Sequence, residues 1–104
     1  MSDLFSALAD PARRRLLDRL CETGGLTLAQ LCEGMHMTRQ GVAKHLRVLE
    51  DANLVASRRE GRFRRHYLNP MPLSRIVNRW LHKFEDMRLQ ELAGYRPDPA
   101  DKRV

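Results

Sequence analysis

Two threonines eleven residues apart, Thr27 and Thr38, constrain this chain more than any other feature. Thr27-Leu28-Ala29-Gln30 is a capping box: the threonine hydroxyl can accept from the amide of Gln30, whose side chain can reach back to the amide of Thr27. Leu26 and Leu31 supply the matching hydrophobic staple, so the helix from Leu28 is short and ends near Gly34. Met35-His36-Met37 turns the chain before Thr38 caps a second helix, which reads Arg39-Gln40-Gly41-Val42-Ala43-Lys44-His45-Leu46-Arg47-Val48-Leu49. Two helices joined by so short a turn make a helix-turn-helix, whose second helix is the one that reads DNA.

On that second helix Val42, Leu46 and Leu49 share a face that should bury, while Arg39, Gln40, Ala43, Lys44 and Arg47 fall on the other. Asn53 is placed to end it in a left-handed cap. Residues 55–59 and 63–68 read as two strands around Glu60-Gly61-Arg62. On the second strand Phe63, Arg65 and Tyr67 share one face, and Arg64, His66 and Leu68 the other. Arg58, Arg59, Arg62, Arg64 and Arg65 crowd around this turn and repel one another in water, which is most easily explained by a polyanion opposite them. The charge is distributed accordingly. Residues 1–37 carry 4 basic and 5 acidic side chains, residues 38–68 carry 8 and 3, and residues 69–104 carry 7 and 5. The positive excess lies on the helix and hairpin, as a nucleic-acid face requires.

Elsewhere the pattern is helical. Leu4, Phe5 and Leu8 form an apolar stripe. Asp10-Pro11 opens a new helix, with Asp10 as N-cap and Pro11 where its missing N–H costs nothing. Ala12, Leu16, Leu17 and Leu20 give that helix its buried face, and Gly24-Gly25 ends it. After Asn69-Pro70-Met71-Pro72, the positions Leu73, Val77, Trp80, Phe84 and Met87 alternate steps of four and three, a heptad seam widened by Ile76 and Leu81. So bulky a stripe exceeds what one small core needs. It reads, with Leu4, Phe5 and Leu8, as the interface of a two-fold homodimer. The 104 residues allow one domain, expected over residues 1–93, followed by a disordered tail over 94–104.

Several classes are excluded. No apolar run approaches the ~20 residues of a membrane span, and the N-terminus lacks the pattern of a secretory signal. Cys21 and Cys32 are too few for a disulfide scaffold, so a reducing cytoplasm is expected. A Gly-rich phosphate loop, paired carboxylates on one face, and a set of nucleophile, base and orienter are all lacking, so the chain is not expected to be an enzyme.

Leu8-Ala9-Asp10-Pro11-Ala12-Arg13 with Arg15-Leu16-Leu17, then Val42-Ala43-Lys44-His45-Leu46-Arg47-Val48-Leu49-Glu50, Asn53-Leu54-Val55, and Glu60-Gly61-Arg62 with Tyr67, together resemble the ArsR-type winged helix-turn-helix repressors. The resemblance covers residues 3–90. It implies a mainly α fold with a small β-hairpin: five helices and a two-stranded wing. It also implies a dimeric repressor, often of its own operon, that leaves its double-stranded DNA operator when a signal arrives. The family's DNA-reading positions fall on Thr38, Arg39, Gln40, Lys44 and Arg47, and those of the wing on Arg62 and its neighbours Arg58, Arg59, Arg64 and Arg65. Gln40 suits adenine N6/N7 and Arg39 guanine O6/N7, while Thr38 and the helix start suit a phosphate.

Many relatives sense metal, and two of the family's ligand sets leave remnants here. Where relatives carry a Cys-x-Cys pair before the recognition helix, this chain has the single thiol Cys32. Of a site that joins an Asp-x-His to a His-x-x-Glu, His82 and Glu85 remain, but Asn69 and Met71 stand for the other half. Neither remnant supplies the four ligands that zinc requires. His36, between Met35 and Met37, reads as a surface turn rather than a copper ligand. His45 reads as a partly buried helix residue or a phosphate contact, and His66 as a strand residue near the wing. Cys21 and Cys32 read as helix-packing residues rather than a redox pair. The expectation is a metal-independent repressor with no cofactor and an unknown inducer. The alternatives are a metal- or thiol-responsive repressor of the same fold, and a winged-helix module that binds protein.

Overall fold

A computed structural model of the protein describes residues 3–92, with side chains described through residue 90; the tail expected over 94–104 lies outside the described residues. The helices are α1 (Leu4–Leu8), α2 (Pro11–Glu22), α3 (Leu28–Cys32), α4 (Arg39–Asp51) and α5 (Met71–Leu92). Between α4 and α5 lies one antiparallel hairpin of β1 (Val55–Glu60) and β2 (Phe63–Leu68). The chain divides after Pro72 into two compact units.

In the first unit α2, α3 and α4 each start at a side-chain cap. The Asp10 carboxylate accepts from the amides of Ala12 and Arg13 at 2.8 and 3.3 Å, with Pro11 at the first helical position. Both halves of the Thr27–Gln30 capping box form. The Thr38 hydroxyl accepts from Gly41 N at 3.0 Å. At the far end of α4, Asn53 takes φ 66° while Leu54 N donates to Leu49 O and Asn53 N to Glu50 O, a Schellman closure.

The core of this unit is Leu16, Leu17 and Leu20 from α2, Leu31 from α3, Val42, Leu46 and Leu49 from α4, and Leu54 and Val55 beyond it. Each fully buried leucine contributes roughly 1.5–3 kcal/mol relative to exposure. Met35 joins them at 2% exposure, so the turn between the two helices is pinned by a core side chain while His36 stays outside with φ 53°. In α1 the fully buried residue is Ala7, and Phe5 is exposed.

The hairpin is tighter than the sequence pattern indicates. Glu60 pairs with Phe63, which leaves Gly61 and Arg62 as a two-residue turn with Gly61 at φ 59°. A further bridge joins Leu26 to His66, with Gly25 N donating to His66 O and His66 N to Leu26 O, both at 2.9 Å. Gly25 can occupy that edge for two reasons. Its φ is 80°, and a Cβ there would lie 3.3 Å from the Tyr67 hydroxyl.

The second unit is described through α5. Val77, Trp80, Phe84 and Met87 of the heptad seam are all exposed, as are Leu81, which widens it, and Leu89.

Candidate nucleic-acid interface

The recognition helix α4 buries Val42, Leu46 and Leu49 and leaves Thr38, Arg39, Gln40, Lys44 and Arg47 exposed, as the 3.6-residue period requires. Thr38 keeps its hydroxyl oxygen on Gly41 N, so its hydroxyl proton remains available to an external acceptor. The half-buried His45 is tied inward: its Nδ1 lies 3.3 Å from the Arg13 guanidinium and accepts from it.

The wing sets like charges opposite one another. Arg58 pairs with Arg65 and Arg59 with Arg64 across the strands, an arrangement that costs stability unless something neutralises it. The five arginines divide into groups. Arg58 and Arg62 are exposed and form no hydrogen bond or ion pair among the described residues. Arg64 donates to Ser57 Oγ at 2.9 Å and Arg59 weakly to Gly61 O at 3.4 Å, both from exposed positions. Arg65 is turned toward the protein: its Nε lies 2.8 Å from Glu60, its Nη1 donates to Gly25 O at 2.9 Å, and its guanidinium lies 5.9 Å from the centroid of the Phe63 ring. Arg65 thereby anchors the wing to the loop after α2.

Arginines outside this face serve the helices. Arg13 donates to Ala7 O at 2.7 Å and Ser6 O at 3.1 Å, and Arg14 to Leu8 O at 2.8 Å, closing the carbonyl end of α1. Arg19 donates to Leu31 O at 2.6 Å, Gln30 O at 2.9 Å and Glu33 O at 3.0 Å, closing the end of α3. At Asp10, burial pushes the carboxyl up, but the bonds from the Arg13 and Ala12 amides, with the Arg13 guanidinium nearby, outweigh it and hold the group below its ordinary range.

Sequence reasoning missed a cavity between the recognition helix, the start of α3 and the wing. It measures about 410 Å³, and its apolar lining comes from Leu28, Ala29, Ala43 and Leu46, with the exposed Phe63 beside them. Glu50 and His66 also line it, and His66, expected as an ordinary strand residue, is 5% exposed. Its Nδ1 lies 3.0 Å from Leu26 O and its Nε2 3.7 Å from Glu50 Oε1. Strand alternation offered one signal, since it set His66 on the face shared with Leu68 and Arg64. The depth came from the bridge to Leu26.

The metal remnants remain apart. His82 and Glu85 form an exposed pair at 3.9 Å on α5. Asn69 is engaged locally, its Nδ2 donating to Asn53 O at 2.8 Å and its Oδ1 accepting from Met71 N at 3.3 Å. Cys21 and Cys32 are both free, the former exposed. Among the described residues no three His, Cys, Asp or Glu side chains gather as a ligand group, and no helix is long and apolar enough to cross a membrane.

Residues 8–58 match the family model described as a helix-turn-helix domain. The chain is 43% identical over 84 residues to the uncharacterized HTH-type transcriptional regulator YuzN of Bacillus subtilis, covering 75% of this chain and 91% of that one. It is 31% identical over 84 residues to the transcriptional repressor SdpR of the same organism, covering 81% and 91%. Among solved structures, it is similar to the ArsR family transcriptional regulator RHA00566, with a TM-score of 0.69 and 31% identity over 81% of this chain and 90% of that one.

Proposed function

Because the chain belongs to the ArsR family of winged helix-turn-helix transcriptional regulators, we propose that it is a homodimeric, metal-independent repressor acting in the cytoplasm on a specific duplex operator. The observation that carries this reading is the union of two surfaces. An exposed stripe of Thr38, Arg39, Gln40, Lys44 and Arg47 on α4 accompanies a wing whose arginines face arginines across the strands. The guanidiniums left without an ion-pair partner in the wing gain most from a phosphate backbone, which neutralises them and releases condensed counterions.

Division of labour follows from chemistry. Gln40 and Arg39 read base edges in the major groove, while Thr38, Lys44 and Arg47 hold phosphates. Arg58, Arg59, Arg62 and Arg64 extend the contact along the backbone. Arg65 contributes indirectly, by fixing the wing to Gly25.

Repression is the mode that the name of SdpR attaches to one relative. A second copy of the chain is supported by the exposed seam of Val77, Trp80, Phe84 and Met87 on α5, with Phe5 of α1 exposed as well. Two copies give two recognition helices for two half-sites of a pseudo-palindromic operator. Metal independence is supported by the residues that stand at the ligand positions. Asn69 bonds its own backbone surroundings, Met71 replaces an imidazole, and Cys32 has no second thiol two residues away.

The test is a fluorescence-anisotropy titration of duplex DNA from upstream of the protein's own gene. Random duplex serves as competitor, and each titration is run with chelator and again with zinc or copper(I). Tight, sequence-selective binding indifferent to metal is expected. Equal affinity for random duplex would overturn the repressor reading, and release on adding metal would overturn its metal independence.

A further inference from the structure

An apolar hollow beside a recognition helix can hold a small molecule as well as a phosphate. The cavity between α4, the start of α3 and β2 is such a hollow. At about 410 Å³ it falls within the range of small-molecule sites, roughly 300–1,000 Å³. We propose that it is an effector site for a planar aromatic carboxylate bearing one hydrogen-bond donor, and that the bound ligand displaces DNA. The displacement rests on the reading of Arg39, Arg47, Arg62 and Arg64 as DNA contacts.

Three chemistries converge on the cavity. Its floor is the side chains of Leu28, Ala29, Ala43 and Leu46, with the exposed Phe63 ring at the margin as a stacking surface. Arg39, Arg47, Arg62 and Arg64 also line it, and guanidiniums grip a carboxylate in a bidentate fork. The third is a polar pair. A carbonyl only accepts, so the bond from His66 Nδ1 to Leu26 O places a proton on Nδ1. The other ring nitrogen, Nε2, lies 3.7 Å from the Glu50 carboxylate. That separation is too long for a hydrogen bond, and a ligand hydroxyl placed there donates to Glu50 while also bonding to Nε2. His66 is nine-tenths buried, its backbone N–H donates to Leu26 O and its carbonyl accepts from Gly25 N, so this end of the site is preformed.

The four cavity-lining guanidiniums belong to the surface assigned to phosphate and base contacts. A carboxylate held by them neutralises charge that the duplex would otherwise neutralise, and it fixes their side chains toward the cavity. Ligand and operator therefore compete.

The probe is 6-hydroxy-2-naphthoate, whose own fluorescence reports binding to DNA-free protein. Its comparators are 2-naphthoate, which lacks the donor, and 2-naphthol, which lacks the carboxylate. One probe per chain is expected, with 2-naphthol at least tenfold weaker and 2-naphthoate several-fold weaker. Saturating probe should weaken operator affinity at least tenfold. Ala29→Leu, at an exposed α3 position, fills the floor and should cut probe affinity at least tenfold. The operator affinity of that variant, whatever its starting value, should then no longer respond to probe. Glu50→Gln should erase the preference of the hydroxylated probe over 2-naphthoate. Absence of probe binding, or binding untouched by both substitutions, overturns the site. Binding without DNA release overturns its role as an effector site. Failure of the ligand-free protein to select its operator strikes the repressor reading instead, so the two failures are separable.

Discussion

Arginine does different work at the two ends of the first unit. In the helical part before the turn, Arg13, Arg14 and Arg19 point at backbone carbonyls and close the ends of α1 and α3. In the recognition helix and wing, Arg39, Arg47, Arg58 and Arg62 are exposed and form no bond among the described residues. Helices as short as α1 and α3, five residues each, leave most of their carbonyls without an internal partner. A guanidinium with five donors is the side chain that can satisfy several at once. The wing has no such carbonyls to satisfy, so its guanidiniums accumulate unneutralised charge. The same residue type stabilises the fold at one end and waits for a partner at the other.

The sharpest break of this comparison is to remove charge from the wing alone. Arg58→Ala with Arg62→Ala should flatten the dependence of log K for operator on log salt by about 4 per dimer. Stability in urea should stay within about 0.5 kcal/mol, because no intramolecular bond is lost. A loss comparable to that of a capping arginine would dissolve the distinction. Arg19→Ala should do the opposite. Three carbonyls at the end of α3 lose their donor, at about 2–3 kcal/mol in urea unfolding, and the salt slope of DNA binding should not change. Arg19→Lys should restore only part of that stability, since an ammonium cannot reproduce the planar fork.

The unit beyond Pro72 offers a third term, apolar rather than charged. Trp80→Ala should weaken self-association by about 2 kcal/mol in sedimentation equilibrium and leave protomer stability nearly untouched. An unaltered dimer would remove the seam from the interface. Gln40→Ala should relax sequence preference by ~1–3 kcal/mol at one base position without moving the salt slope, as expected of a base reader rather than a charge.

The smallest effect concerns Asp10. Its carboxyl is held below the ordinary value of 3.8, so its contribution is complete above that value. That contribution is lost as pH falls below 3.8 through the lower native-state value. Asp10→Asn keeps the cap but cannot titrate, so acid unfolding followed by circular dichroism should show a shallower limb in that range. Asp10→Ala should cost about 1 kcal/mol at neutral pH.

Much of the fold was legible because its signals are local. Asp10, Thr27, Thr38 and Asn53 act on amides or carbonyls within a few residues of themselves, and all four cap the helices they were expected to cap. The face of α4 followed from its period alone. Contacts between distant segments were not legible. Arg65 stands beside four arginines in sequence and reads as one of them, yet Gly25 and Glu60 claim its guanidinium. Met35 and His36 are neighbours in one turn, yet one enters the core and the other does not. The expected DNA set was therefore gathered by charge, where the tertiary fold sorts it by what each guanidinium can reach.

The sequence by itself determined where helices start and stop, which face of the recognition helix buries, and where positive charge concentrates. Each of these depends on spacing and side-chain chemistry over a few residues. Only the tertiary structure decided which arginines remain unpaired and that a strand histidine is buried against Leu26. It also decided that α3, α4 and the wing line a half-open hollow of about 410 Å³. The reason is physical: Leu26 and His66 are forty residues apart, and no local rule brings a carbonyl to an imidazole ring across that distance until the core between them has packed.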